Sequence, residues 1–231
     1  MADPHIRALA IETTSRRGEV ALVEQGAVIA EAAFEAGLKH TAHLVPLVDG
    51  LMREAGWAPY EAREVYVSVG PGGFTGTRVG VTFAKSFAFA AGAKVVAVPT
   101  PRVVVEDAPP EARHALVVVD ARRGKVWAEP FARSGHEWKP AGEPRLTTLS
   151  EALAEAPRPI WLLGEGVAYH AGAIDPSDRQ VHTAPEAAPR ARHVATLGWR
   201  MARQGRFTDP FALTPRYVRR PEAEEKRLGI A

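Results

Sequence analysis

The sequence predicts an α/β fold made of two related halves, each a mixed sheet flanked by helices, and three observations lead there. An apolar strand ending in a carboxylate, then Arg-Arg-Gly, one charged residue and Val, occurs twice: Leu9-Ala10-Ile11-Glu12 with Arg16-Arg17-Gly18-Glu19-Val20, and Leu116-Val117-Val118-Val119-Asp120 with Arg122-Arg123-Gly124-Lys125-Val126. Such self-similarity marks an internal duplication. Strand and helix periodicities alternate between the two hairpins, as they do when helices cross a sheet. Finally, 231 residues with 46% apolar and 24% charged side chains suffice for one large core or two smaller ones. The halves are expected to meet near residue 100, as segments 1–100 and 101–231.

The elements follow in order. Leu9 to Ile11, Glu19 to Val23 and Val28 to Phe34 read as three strands joined by turns at Thr13–Gly18 and Gln25-Gly26. Thr41 to Ala55 places Leu44, Leu47, Val48 and Leu51 at helical spacing, with Pro46 either delaying or kinking the helix and Gly56 closing it. Glu64 to Val69 is a strand, the glycine-rich stretch to Gly76 a loop, Thr77 to Ala91 a helix and Val95 to Val98 a strand. The second half reads as the repeated hairpin, a helix at Leu149–Ala156, a strand at Ile160–Leu163, a loop at Gly164-Glu165-Gly166 and a helix from Arg190 to Gln204. That last helix buries Val194, Leu197 and Met201 and turns Arg192, Arg200 and Arg203 away. Asp175 to Pro189 reads as a loop, and poor order is expected beyond Pro221.

Composition excludes several classes. With no cysteine there is no thiolate catalysis, no cysteine-ligated zinc and no disulfide framework. The most apolar window, Phe83 to Val98, is interrupted by Lys85 and Lys94, so no membrane span is expected. The first residues carry no basic flank before an apolar run, which makes cytoplasmic residence the expectation. From Arg190 onward ten Arg and Lys face four Asp and Glu, a basic segment that suits either a solvated helix or an acidic partner such as nucleic acid.

Three motifs invite chemistry. The run Gly70-Pro71-Gly72-Gly73-Phe74-Thr75-Gly76-Thr77-Arg78-Val79-Gly80 joins a strand to a helix. It could bring backbone N–H groups to an anion, or its glycines could serve only a tight connection. It has neither Walker A spacing nor G-x-G-x-x-G. Glu12 and Asp120, at the ends of equivalent strands, could work as paired carboxylates or accept hydrogen bonds from their own turns. His40 and His43 share a helix face but lack a further ligand nearby, so no metal site is expected. The helix after the glycine loop is apolar nearly all round through Val79, Phe83, Phe87 and Phe89, and the preceding helix is similarly broad through Val45 and Met52. One sheet can cover only one side of such a helix, so it is either sandwiched within the monomer or covered by a second chain, and two adjacent helices of this breadth suit a four-helix interface with a partner.

Ala10-Ile11-Glu12-Thr13-Thr14, His40-Thr41 before Leu44-Val45-Pro46-Leu47, the Gly70–Gly80 run, Val119-Asp120-Ala121-Arg122-Arg123-Gly124-Lys125-Val126 and Pro215-Arg216-Tyr217-Val218-Arg219 together resemble the TsaB/YeaZ family. The match spans essentially the whole chain in the right order. The resemblance implies the actin-like ATPase (ribonuclease H-like) fold. It also implies a non-catalytic scaffold of the bacterial complex that forms threonylcarbamoyladenosine in tRNAs reading codons that begin with A. TsaD and TsaE are the implied partners, with a homodimer when the chain is alone, tRNA reached through the complex, and no membrane. No cofactor is expected to bind tightly, ATP or ADP entering only in the complex. The partner surface is expected at Leu44, Leu47, Val48, Leu51, Met52, Val79, Phe83 and Phe87. A remnant nucleotide or phosphate loop is expected at Glu12, Thr13, Gly70, Gly72, Gly73, Thr75, Arg78 and Asp120. Glu12 stands where the family usually has Asp, and the His-x-x-His at His40 is one residue short of TsaD's metal-binding spacing. A small-molecule kinase or a metallopeptidase-like enzyme of the same superfamily is the alternative reading.

Overall fold

The structure, a computed structural model, describes residues 5–35, 40–184 and 186–218. Arg219 and the tail expected to be poorly ordered lie outside them. The chain divides into two compact units, residues 1–107 with 188–215 and residues 108–187 with 216–231.

The first unit opens with β1 (Arg7–Glu12), β2 (Arg17–Glu24) and β3 (Ala27–Glu35), followed by α1 (His40–Glu54), β4 (Ala62–Ser68), α2 (Phe74–Ala91), β5 (Lys94–Val98) and α3 (Thr100–Val105). The sheet order is β3-β2-β1-β4-β5, with β1 antiparallel to β2 and parallel to β4. Leu9, Ile11, Val20, Leu22, Val65 and Val67 pack beneath α1 and α2, while Ala8, Ala10, Ala21 and Tyr66 belong to the core on the other face. Burial on both faces is why these strands read as apolar runs rather than as alternations. Helix α1 runs through Pro46 from His40. Helix α2 starts three residues before the expected Thr77, because the Gly73 carbonyl accepts both the N–H and the hydroxyl of Thr77, at 2.9 and 2.8 Å. It ends at Gly92, whose φ of 66° supplies the left-handed cap.

The second unit contains β6 (His114–Asp120), β7 (Val126–Ser134), β8 (Glu137–Pro140), β9 (Arg145–Thr147), α4 (Leu149–Glu155), β10 (Ile160–Leu163), α5 (Gly166–Tyr169) and β11 (Val181–Ala184). Its order is β11-β10-β6-β7-β8, with β9 also on β7. Strand β6 is antiparallel to β7 and parallel to β10, repeating the relations of β1 to β2 and β4, so the duplicated motif is duplicated topology as well. Strand β11 lies inside the segment expected as a loop, because four residues paired at a parallel edge carry too little pattern to be read. Helix α4 begins at a capping box in which Thr148 and Glu151 satisfy each other's backbone N–H groups.

The last helix, α6 (Ala191–Arg203), belongs to the first unit, whereas a division at residue 100 would leave it in the second half. Its stripe of Ala191, Val194, Ala195, Met201 and Ala202 packs with Ala8, Ala10, Ala21, Val23 and Tyr66. Gly198 lies so close to the Tyr66 ring that no side chain would fit there. Small residues let the helix seat directly on the sheet, a preference for one sheet over another that periodicity does not carry.

Candidate functional site

Glu12, at the end of β1, is wholly buried. Its Oε1 accepts the N–H and the hydroxyl of Thr14, both at 2.5 Å, and Ser68 of β4 donates to its Oε2. Burial, only partly offset by these hydrogen bonds, raises its pKa to about 7. This carboxyl is a structural node: one oxygen is held by its own turn and the other by the neighbouring parallel strand.

The glycine loop is tied to the same turn. Gly73 donates its N–H to the Thr14 carbonyl at 2.7 Å, and the Thr13 hydroxyl donates to the Gly76 carbonyl at 2.8 Å. A Cβ on Gly72 would come within 2.6 Å of the Thr14 carbonyl oxygen, and one on Gly80 would collide with Thr13 Oγ1. Gly73 is exposed, and a Cβ there would meet only the Thr14 oxygen, at 3.2 Å. Gly70 is buried and exchanges hydrogen bonds with Thr100, accepting its N–H at 3.1 Å and donating to its hydroxyl at 2.9 Å. Close packing against Thr13 and Thr14 therefore accounts for Gly72 and Gly80, and the Gly73 N–H is already committed to the protein. Thr75 and Arg78 lie exposed on the first turns of α2, with the Arg78 guanidinium 3.9 Å from the Phe74 ring centroid.

Asp120 belongs to the second unit. Its Oδ1 accepts the Arg122 N–H at 3.1 Å and lies 3.0 Å from His170 Nε2. Gly166 is needed beside it, since a Cβ there would come within 2.9 Å of the Asp120 nitrogen. His43 is exposed on α1, and the side chain of His40 lies outside the described residues. Among the described residues no group of three His, Asp or Glu could hold a metal ion.

The eight residues expected at a partner surface divide into two sets. Leu44, Val48, Leu51 and Met52 are buried in the first unit's core. Leu47, Val79, Phe83 and Phe87 are partly buried over it, with the Phe83 and Phe87 rings stacked at 5.8 Å. The same two helices expose Val45 and Phe89, at 55% and 78%, which the expected set omitted although both stood in the apolar pattern. Phe89 meets Phe211 edge to face at 6.4 Å, while Leu213 is buried and its carbonyl accepts from Lys85 at 3.2 Å. Phe211 and Leu213 thus lie over part of α2.

The basic C-terminal segment spends much of its charge internally. Arg190 pairs with Glu19 at 3.2 Å, Arg192 with Glu31 at 2.8 Å, and Arg203 with Glu64. Glu19, which sequence reasoning missed, also accepts the Ala191 N–H at 3.0 Å and so caps α6 from β2. No local signal marks a cap 172 residues away from the helix it serves. Among the described residues no helix is long and apolar enough to cross a membrane.

The fold is similar to that of YeaZ from Pseudomonas aeruginosa, with TM-score 0.80 at 23% identity over 92% of this chain and 100% of that one. A second structure, described as an uncharacterized protein with similarity to peptidase YEAZ from Pseudomonas aeruginosa, gives TM-score 0.81 at 24% identity over 93% and 100%. Two mixed sheets of matching order, each led by a hairpin whose turn follows a carboxylate, make this an actin-like ATPase fold. In sequence the chain is 30% identical over 228 residues to the tRNA threonylcarbamoyladenosine biosynthesis protein TsaB of Bacillus subtilis, covering 94% of this chain and 96% of that protein. It is 33% identical over 128 residues to the Escherichia coli protein of the same name, 54% of each chain, and the family model described as TsaD: tRNA N6-adenosine threonylcarbamoyltransferase matches residues 27–227. The chain belongs to the TsaB/YeaZ family.

Proposed function

We propose that the chain is the scaffold subunit that pairs with TsaD for the formation of threonylcarbamoyladenosine in tRNAs reading codons that begin with A, with TsaE joining the pair. Alone, it forms a homodimer through the same surface. The observation that carries this reading is the α1–α2 layer. Its inner residues, Leu44, Val48, Leu51 and Met52, complete the first unit's core, yet Val45 and Phe89 remain exposed and Leu47, Val79, Phe83 and Phe87 only partly covered. Apolar side chains left uncovered on two neighbouring helices favour association. The commitment of Gly73 and Glu12 to Thr14 and Ser68 supports a loop that organises α2 rather than one that grips a phosphate.

Co-purification of the full chain with TsaD tests the reading, with sedimentation of the chain alone as its companion. A one-to-one complex with TsaD and a dimer in its absence are expected. A monomer that ignores TsaD, or stoichiometric metal with ATP or peptide turnover by the isolated chain, would overturn it.

A further inference from the structure

The turn between β6 and β7 departs from ordinary hairpin chemistry. Arg122, Arg123 and Gly124 have φ of 63°, 54° and 71°, three successive left-handed residues. Hairpin turns that need positive φ favour Asn, Asp or Gly, because a longer side chain meets its own backbone there. The equivalent turn after Glu12 has no positive-φ residue. Arginine thus occupies two positions where the backbone disfavours it, and backbone strain of this kind collects where a side chain has a task.

The turn is pinned by Ala121 N–H to the Lys125 carbonyl, by Lys125 N–H to the Arg122 carbonyl, both at 3.0 Å, and by Arg122 N–H to Asp120. It projects Arg122, Arg123 and Lys125 into solvent, all three exposed. Two of them make long ion pairs: Arg122 reaches Asp120 at 3.7 Å with 87% of its side chain exposed, and Lys125 reaches Glu151 at 3.9 Å. By contrast, Arg192 of α6 lies 2.8 Å from its carboxylate and Arg190 lies 3.2 Å from Glu19. A rigid, exposed tip with three cations suits a polyanion that offers phosphates at several spacings and is not read base by base.

We infer that the Arg122-Arg123-Gly124-Lys125 turn is a contact for the RNA phosphate backbone within the assembled complex. This rests on the reading that the chain acts with TsaD on tRNA. The turn supplies affinity and position without sequence preference, since it offers charge and no base-reading surface.

Arg122→Asn with Arg123→Asn tests it, because asparagine tolerates left-handed backbone and the double variant keeps the turn while removing two charges. Tm, TsaD assembly and tRNA affinity over a salt series are measured on the full chain with TsaD. The expected result is an equal or higher Tm, intact assembly and affinity lower by roughly ten- to thirtyfold near physiological salt, with the slope of log affinity against log salt reduced by about 1.5–2. Arg122→Lys with Arg123→Lys should keep most of that slope. Unchanged affinity and slope in the asparagine variant, beside a parent complex that binds tRNA, would overturn this inference alone. Loss of TsaD assembly with undiminished RNA binding would also overturn it, assigning the turn to an acidic protein surface. A parent chain that neither joins TsaD nor supports tRNA binding would bring down the functional reading together with the inference.

Discussion

Ser68, the last residue of β4, donates its hydroxyl to Oε2 of Glu12, the last residue of β1, joining two parallel strands at the edge where the glycine loop begins. Ser68 Oγ also lies 3.4 Å from the Ile11 carbonyl oxygen. When Oε2 is protonated that bond reverses: Glu12 donates to Ser68 Oγ, whose hydroxyl turns to the Ile11 carbonyl, while Oε1 still accepts from Thr14. The site thus accommodates the neutral carboxyl, which burial favours, as well as the charged one.

A pH-dependent stability follows. Burial raises the Glu12 pKa from 4.5 to about 7 in the folded protein, so between those values the folded state holds a proton that the unfolded chain has lost. The resulting stabilisation is complete below the unfolded value and is lost as pH rises through about 7, a span of roughly 3 kcal/mol. Glu12→Gln keeps the neutral hydrogen-bonding pattern and should be more stable than the parent at pH 8 by about 2–3 kcal/mol, with little difference at pH 4.5. Urea denaturation across this range checks it; parallel pH profiles for parent and variant would contradict the expectation.

Glycines of one loop should differ in tolerance. Gly72→Ala drives a methyl against the Thr14 carbonyl, and Gly80→Ala against a Thr13 hydroxyl already fastened to Gly76. Each should cost about 1–3 kcal/mol, and Gly73→Ala less than about 1 kcal/mol. Melting temperatures of the three variants give the ranking, and equal losses would remove the packing explanation.

Charge placed on α1 should separate core from surface. Leu51→Asp buries a carboxylate beneath α1 and should unfold the chain, at a cost of about 3–5 kcal/mol. Val45→Asp, more than half exposed in the isolated chain, should change stability by no more than about 0.5 kcal/mol yet abolish pairing in sedimentation. A Val45→Asp protein that still pairs and still binds TsaD would place the interface elsewhere.

Removing the remote cap should loosen α6. Glu19→Ala deletes the acceptor of the Ala191 N–H and one of Arg190's two carboxylate partners among the described residues, leaving Asp107 at 3.8 Å. A loss of about 1–2 kcal/mol is expected, with hydrogen exchange quickened first at the start of α6. Uniform exchange along the helix would argue against a capping role.

Periodicity and turn chemistry were enough to read β1 to β5, α1, α2 and the duplicated hairpin, because each announces itself over a few consecutive residues: Glu12 before its turn, Gly56 after α1, the helical spacing from Leu44 to Leu51. The glycine run was legible as a strand-to-helix connection, but its partner was not. That Gly72 and Gly80 serve the Thr13-Thr14 turn depends on two segments about 60 residues apart meeting at the end of one sheet. The apolar breadth of α1 and α2 was visible in the sequence, while only packing separated buried Leu51 and Met52 from exposed Val45 and Phe89. The seat of α6 was likewise a tertiary decision, made by Gly198 against Tyr66 and by Glu19 at the helix start. Local sequence sets backbone conformation and the width of an apolar face. Which surface covers that face is settled by shape and charge complementarity between segments distant in the chain.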